Sequence, residues 1–375
     1  FQYRTADGIK VADPYSPLVL SPYDDQYINQ NGMVYPDLPA YPAGQSFEVS
    51  VIQTAKPAYP WVVTNFNKPA KENLIVYELL VRDFTTQKTW QSLIDKIPYL
   101  KSLKINAIEL MPVMEFDGNN SWGYNTGFHY ALDKAYGTPE KFKEFIDLCH
   151  QNGIAVILDI ALNHATGRSP IERMWMVDPD GDGFGDPAAD NPYFNQVARH
   201  SYSVFNDFNH SKAETKYYVD RVIEHWIKEY KVDGFRWDLT KGFTQNCTAG
   251  DDACTNAYQQ DRVNILRVYA DKQWSYDPNS YIIFEHLGTD SEEGQWANYR
   301  VGEGKGVMMW DKHTNAYNQN TMGFAASSNF NRVDFEAHGF SERRAMSYGE
   351  SHDEERIMYK NINFGASTAG YDTRD

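Results

Sequence analysis

The sequence predicts an α/β chain built as a (β/α)8 barrel, and three observations carry that expectation. From Asn73 onward, short apolar runs alternate with stretches of helical period. Strand, helix, strand at this spacing means parallel strands joined by crossover helices. The alternation runs seven times, which suits a closed barrel short of its last unit. A doubly wound sheet is the competing arrangement on this pattern alone. One segment, 165–210, interrupts the alternation after the third strand and is far longer than an ordinary βα loop. Loops at the C-terminal ends of barrel strands build active sites, so a long one there is expected to be functional.

The elements follow in order. Residues 1–70 are rich in Pro, Tyr, Gly and Asp, with short β-like runs such as Phe47 to Gln53. They read as a partial N-terminal β module and linker, entered in mid-domain. The barrel is expected over 71–375, with the inserted domain at about 165–210. Strands are expected at 73–80, 106–111, 154–160, 232–238, 281–285, 306–310 and 345–352. A helix is expected from Trp90 to Leu103. A second starts at Pro139, with Thr138 as N-cap and Gly153 as its stop. A third runs from Ser211 to Tyr230. An eighth strand and helix are absent from the pattern, which would leave a sheet edge open and suggests a fragment.

Composition narrows the function. The formal net charge is −16, so a phosphate backbone would be repelled and nucleic-acid binding is not expected. No run approaches 18 apolar residues, so no membrane span is expected. Aromatic residues make up 15% of the chain, too many for disorder and enough to spare flat faces for a cleft where sugars stack. Cys247 and Cys254 flank a short acidic loop and could pair across it; spacing alone does not decide this. Cys149 reads as a buried thiol. No signal peptide opens the chain, and the expected location is secreted or periplasmic.

Charge gathers where strands end. Asp159, Asn163 and His164 close the third strand, Arg236 and Asp238 the fourth, with Lys241 just beyond. Glu285 and His286 close the fifth, and His352 and Asp353 the seventh. Any one placement could be a salt bridge or cap, but a barrel rim gathers all four around one axis. Arg236 lies two residues before Asp238, so both side chains point the same way in a strand. The guanidinium would hold Asp238 ionised, while the apolar run before Glu285 would keep its proton on. One carboxylate to attack and one to donate a proton is the pattern of glycoside hydrolysis. A metal hydrolase would draw on His164, His352 and Asp159, but a close His pair such as HxH or HExxH is missing.

At these residues the sequence resembles the α-amylase family of glycoside hydrolases (family 13), over residues 73–375. DIALNHA, GFRWDLTK, FEH and SHD stand in the family's order, and INAIELMPV and WGYNTGFHYALDKAYGT look like its second-strand region and the loop after it. The opening, VADPYSPLVLSPYDDQYI, looks like the end of a starch-binding-type β-sandwich module of branching and debranching members. The resemblance implies that Asp238 is the nucleophile, Glu285 the general acid and base, and Asp353 the group that binds the 2- and 3-hydroxyls. It implies that Arg236 orients Asp238, and that His164 and His352 hydrogen-bond the sugar being cleaved. Tyr124 would stack beneath that sugar, Lys241 contact the next one, and Asp159 support the floor. The implied reaction is retaining hydrolysis of α-1,4-glucosidic bonds in an α-glucan polysaccharide or oligosaccharide. A debranching or branching enzyme is the runner-up, and a non-catalytic glucan-binding homologue the distant alternative. Ser351 stands where the family commonly has Asn, and Gly242 where many members have His; both bear on subsite preference.

Calcium is the expected cofactor. Asp178, Asp180 and Asp182 alternate, Gly183 follows, Phe184 offers its carbonyl and Asp186 stands ninth. This is the opening of an EF-hand-type loop, although the twelfth place is Ala189 instead of a bidentate Glu. Separately, the resemblance implies a second calcium held by Asn163, Asp207 and the carbonyl of Gly242.

Overall fold

The computed structural model describes residues 1–30, 32–368 and 371–374. Two units divide the chain, Phe1–Ile282 and Ile283–Asp375. The first holds β1 (Val76–Leu79), β2 (Ala107–Leu110), β3 (Ala155–Ile160) and β4 (Gly234–Trp237), adjacent in that order. All pairings are parallel, with Val76 opposite Ala107, Ala107 opposite Ala155 and Gly234 opposite Ile157. Every residue of β2, β3 and β4 is buried, as parallel strands covered on both faces require. β5 (Tyr281–Phe284) begins here, its Tyr281 N–H donating to the Asp233 carbonyl at 2.9 Å. Gly234 permits that approach, because a Cβ there would fall 2.1 Å from the Tyr281 carbonyl oxygen.

Helices pack outside these strands. The expected helix over 90–103 is instead two short ones, α1 (Trp90–Ile94) and α2 (Ile97–Ser102). Pro98 has no N–H to donate back to Ile94, so one helix cannot run through. A capping box between Thr89 and Ser92 starts α1. In α3 (Pro139–Gln151), the Thr138 side chain accepts from the Lys141 N–H as expected. Its buried Phe142, Phe145, Ile146 and Cys149 fall at helical spacing and form the core face. α4 (Ala213–Tyr230) ends at Lys231 in left-handed backbone, and α5 (Gln260–Tyr276) follows β4.

Residues 1–70 form two ladders only two residues deep, Tyr3–Arg4 with Lys10–Val11 and Val19–Leu20 with Val49–Ser50. Such strands cannot build a core of their own. Ala12 and Val19 share a core with Phe128 and Ala131 instead, and Arg168 bonds Asp24 and lies 4.6 Å from the Tyr23 ring. The division therefore differs from the expected boundary near residue 70. The 165–210 segment is irregular, pinned by ladders at 164–165 with 206–207 and at 176–177 with 186–187. Cys247 and Cys254 are disulfide-bonded, and Cys149 is a buried free thiol.

The second unit carries β6 (Met308–Lys312) and β7 (Ala345–Tyr348), parallel to each other and to the end of β5, with Ile283 opposite Met308 and Met309 opposite Ala345. α6 (Asp290–Ala297), α7 (Thr314–Thr321) and α8 (Ile357–Phe364) are its helices. β7 ends four residues before the expected His352, in a turn held by Ser351 and Glu354. Among the described residues the parallel strands number seven, in the order of a partial (β/α)8 barrel.

Candidate active site

The first unit concentrates five expected residues in one array. Arg236 stands opposite Asp159 in the β4–β3 register, and both are buried. Its Nη1 donates to both carboxylate oxygens of Asp159 at 3.0 Å and to Asp238 Oδ1 at 2.8 Å. The Asp238 side chain, 14% exposed, is the member of this trio that reaches solvent. Its backbone N–H donates to the Ile160 carbonyl, and Leu239 turns away in left-handed backbone at φ 43°. Tyr124 donates its hydroxyl to Asp159 Oδ2 at 2.5 Å. Burial first and the Asp159 charge next hold that phenol well above its ordinary range, so it stays protonated. Gly123 sets Tyr124 in place: at φ 98°, a Cβ would fall 2.2 Å from the Pro112 carbonyl oxygen.

His164 donates its Nε2–H to the Tyr124 carbonyl at 2.7 Å. Burial pushes its pKa down to about 4, so the ring is neutral at ordinary pH and braces Tyr124 through this bond. Lys241 reaches Asn256 Oδ1 at 2.7 Å and lies 5.6 Å from the Tyr202 ring centroid.

The second unit holds the other three. Glu285 follows directly on β5 and is half-buried. The loop after it is fixed at several points. His286 Nε2 lies 3.2 Å from Glu292 Oε2, both fully buried, and the Gly288 N–H donates to Glu293 Oε1 at 2.8 Å. Gly288 has no room for a side chain, because a Cβ would meet the His286 ring at 2.4 Å. His352 Nε2 lies 3.4 Å from Asp353 Oδ1, and the Asp353 side chain is 50% exposed. Ser351 Oγ donates to Glu354 Oε2 and accepts the Asp353 N–H, so the departure from Asn leaves a small cap that shapes this turn.

The two expected cation sites differ. Asn163 is 1% exposed, and neither of its side-chain polar atoms has a partner; Asp207 Oδ1 is likewise buried without a hydrogen bond. His200 Nε2 stands 3.2 Å from that oxygen. A Cβ on Gly242 would come within 3.2 Å of both Asn163 and His200, so a side chain here would crowd the pocket. Burying such oxygens unsatisfied is costly, and a cation would satisfy Asn163 Oδ1 and Asp207 Oδ1, so these two oxygens fit calcium. In the acidic loop, Asp178, Asp180 and Asp182 bring one oxygen each within 4.8 Å of one another, but Asp186 is not in that group. Asp186 pairs instead with Val177 in the short ladder. Asp178 accepts the Gly181 and Gly183 N–H groups, and Asp182 accepts the Phe184 N–H.

The family profile described as Alpha amylase, catalytic domain, matches residues 64–175. Over that stretch the chain is similar to the α-amylase catalytic domain. It is similar to the malto-oligosyltrehalose trehalohydrolase of Saccharolobus solfataricus, 31% identical over 64% of this chain and 39% of that protein. It is similar to the 1,4-alpha-glucan-branching enzyme of Dictyostelium discoideum, 26% identical over 82% of this chain and 46% of that protein. The chain thus spans less than half the length of either relative. The crystal structure of a pullulanase from Anoxybacillus sp. LM18-11 shares the fold, with TM-score 0.65 and 19% identity over 95% of this chain and 51% of that one.

Sequence reasoning missed His200 beside Asp207 and the pair Glu292–Glu293 behind the Glu285 loop. His200 carries no motif, and its place follows from the ladder that sets His164 opposite Asp207. The consecutive glutamates stand in the acidic first turn of α6, where carboxylates are common, so the sequence carries no signal that singles them out.

Proposed function

We propose that this chain carries the catalytic centre of a retaining glycoside hydrolase acting on α-glucans. The observation that supports it most is the buried Arg236, which bonds Asp159 and Asp238 at once and leaves the Asp238 carboxylate facing outward. A guanidinium so placed keeps Asp238 anionic and aimed, as a nucleophile requires. Asp238 attacks the anomeric carbon, a carbon–oxygen ester bond forms, and the glycosidic bond breaks. Glu285 gives its proton to the departing oxygen. Glu285 then takes a proton from water, which attacks the same carbon and releases Asp238. Two inversions leave the α configuration intact. Asp353 binds the 2- and 3-hydroxyls of the sugar. Asn163, Asp207 and the Gly242 carbonyl would hold calcium, which would tie the segment before Asp207 to the end of β4.

The test is the anomer first released, followed by proton NMR on a maltooligosaccharide. α-Anomer is expected; β-anomer as first product would overturn the reading. A second reading has specific support, because the relatives include a branching enzyme and a trehalohydrolase. Products from amylose, pullulan, glycogen and a malto-oligosyltrehalose separate α-1,4 cleavage from debranching, branching and trehalose release.

A further inference from the structure

A second polar cluster lies in the unit Ile283–Asp375 and takes no part in the proposed reaction. Asp311 is the fourth residue of β6, and His313 follows the strand's end. His338 closes a short 3-10 turn, Phe335–His338, ahead of β7. Asp311 Oδ2 lies 2.7 Å from His313 Nε2 and 3.5 Å from His338 Nε2, and all three ligand atoms fall within 4.8 Å of one another. The side chains are 12%, 8% and 4% exposed, so water screens them little.

The outer contacts decide what this cluster is suited to. His338 Nδ1 lies 3.0 Å from Asp290 Oδ1, and its ring stacks on Phe340 at 5.1 Å. A ring whose Nδ1–H donates to a carboxylate turns its Nε2 lone pair the other way, which is how metal-bound histidines are oriented. That Nε2 faces Asp311 and the Arg332 carbonyl, the latter at 2.7 Å. Asp311 Oδ2 already accepts from His313 Nε2 at 2.7 Å and from Ser347 Oγ at 2.6 Å, so the His338 Nε2 lone pair and the Arg332 carbonyl are left facing one another, unless the ring takes a second proton or a cation enters. Ligands about 2.0–2.1 Å from a tetrahedral zinc are about 3.4 Å apart, close to the 3.5 Å separation of Asp311 and His338. Asp290, Glu293 and His338 also converge, but Arg332 already bonds Asp290 there at 2.6 Å and lies 2.9 Å from His338 Nδ1. The cation therefore belongs on the Asp311 side.

We propose that Asp311 Oδ2, His313 Nε2 and His338 Nε2 bind one zinc-class divalent cation, with the Arg332 carbonyl or water as fourth ligand. Two imidazoles and one carboxylate favour zinc or cobalt over calcium or magnesium. On binding, the Nε2 proton that His313 now gives to Asp311 passes to solvent. The ion clips the turn before β7 to the end of β6, beside the pairing that already joins those two strands.

The experiment is calorimetric titration of the metal-stripped full chain with zinc chloride, in excess calcium to fill oxygen-only sites. Wild type is expected to take up one zinc more than the His313→Gln, His338→Gln double variant. Cobalt(II) should give tetrahedral visible bands in wild type alone. Asp290→Asn keeps all three ligands and should weaken zinc about 10–100-fold; it also serves if the double variant fails to fold. Equal zinc uptake by wild type and the double variant would overturn the site. So would nitrogen NMR showing His338 doubly protonated in the presence of excess zinc.

Discussion

Asp238 and Asp353 both follow barrel strands, yet their surroundings differ. Asp238 is held by a buried guanidinium that also grips Asp159, which in turn takes the Tyr124 hydroxyl. Asp353 is half exposed, and its neighbour His352 stands 3.4 Å off on the same loop. One carboxylate is built into a buried base, while the other sits half exposed on a turn. A nucleophile must be aimed before the sugar arrives, and preorganisation of this kind needs burial and several bonds. A group that binds hydroxyls can tighten onto them as they arrive.

The comparison is breakable. The largest effect should come from Asp238→Asn, with kcat down by roughly 10⁴-fold or more, because an amide cannot form the ester. The same change removes the negative charge that faces the buried Arg236, so the variant's thermal midpoint should fall. Asp353→Asn should also cost activity heavily but leave the midpoint near wild type, as an exposed side chain usually does. A midpoint loss in Asp353→Asn equal to that in Asp238→Asn would erase the distinction. Arg236→Lys should sharpen it. A point charge cannot bond Asp159 and Asp238 as the guanidinium does, so kcat should fall about 10–100-fold. An unchanged kcat would mean that Asp238 is aimed by something else.

Calcium removal should have the smallest effect and should separate the two cation sites. In the pocket of Asn163 and Asp207, polar atoms are buried and unpartnered, so chelation should lower the thermal midpoint. In the loop of Asp178, Asp180 and Asp182, the carboxylates already accept backbone N–H groups and face solvent. Asp180→Ala with Asp182→Ala should change protease resistance of that loop and leave the unfolding free energy within about 0.5 kcal/mol of wild type. If the double variant lost more stability than chelated wild type, the ranking of the two sites would be reversed.

Sequence by itself determined β2 to β5, because fully buried parallel strands leave continuous apolar runs that need no partner to be read. β3 was expected at 154–160 and forms at Ala155–Ile160, and Thr138 caps α3 as read. It also determined which residues stand at strand ends, since a two-residue period fixes that Arg236 and Asp238 point together. Tertiary structure alone decided the partners. Arg236 meets Asp159 only because β4 pairs with β3 in one register. Tyr124 reaches Asp159 across 35 positions of chain. The Cys247–Cys254 bond needed a loop geometry that spacing left open. The histidines at 313 and 338 meet Asp311 because the turn before β7 folds back on β6. Local period is written in the order of residues, whereas contact between distant residues depends on register and loop closure, which no short stretch of sequence encodes.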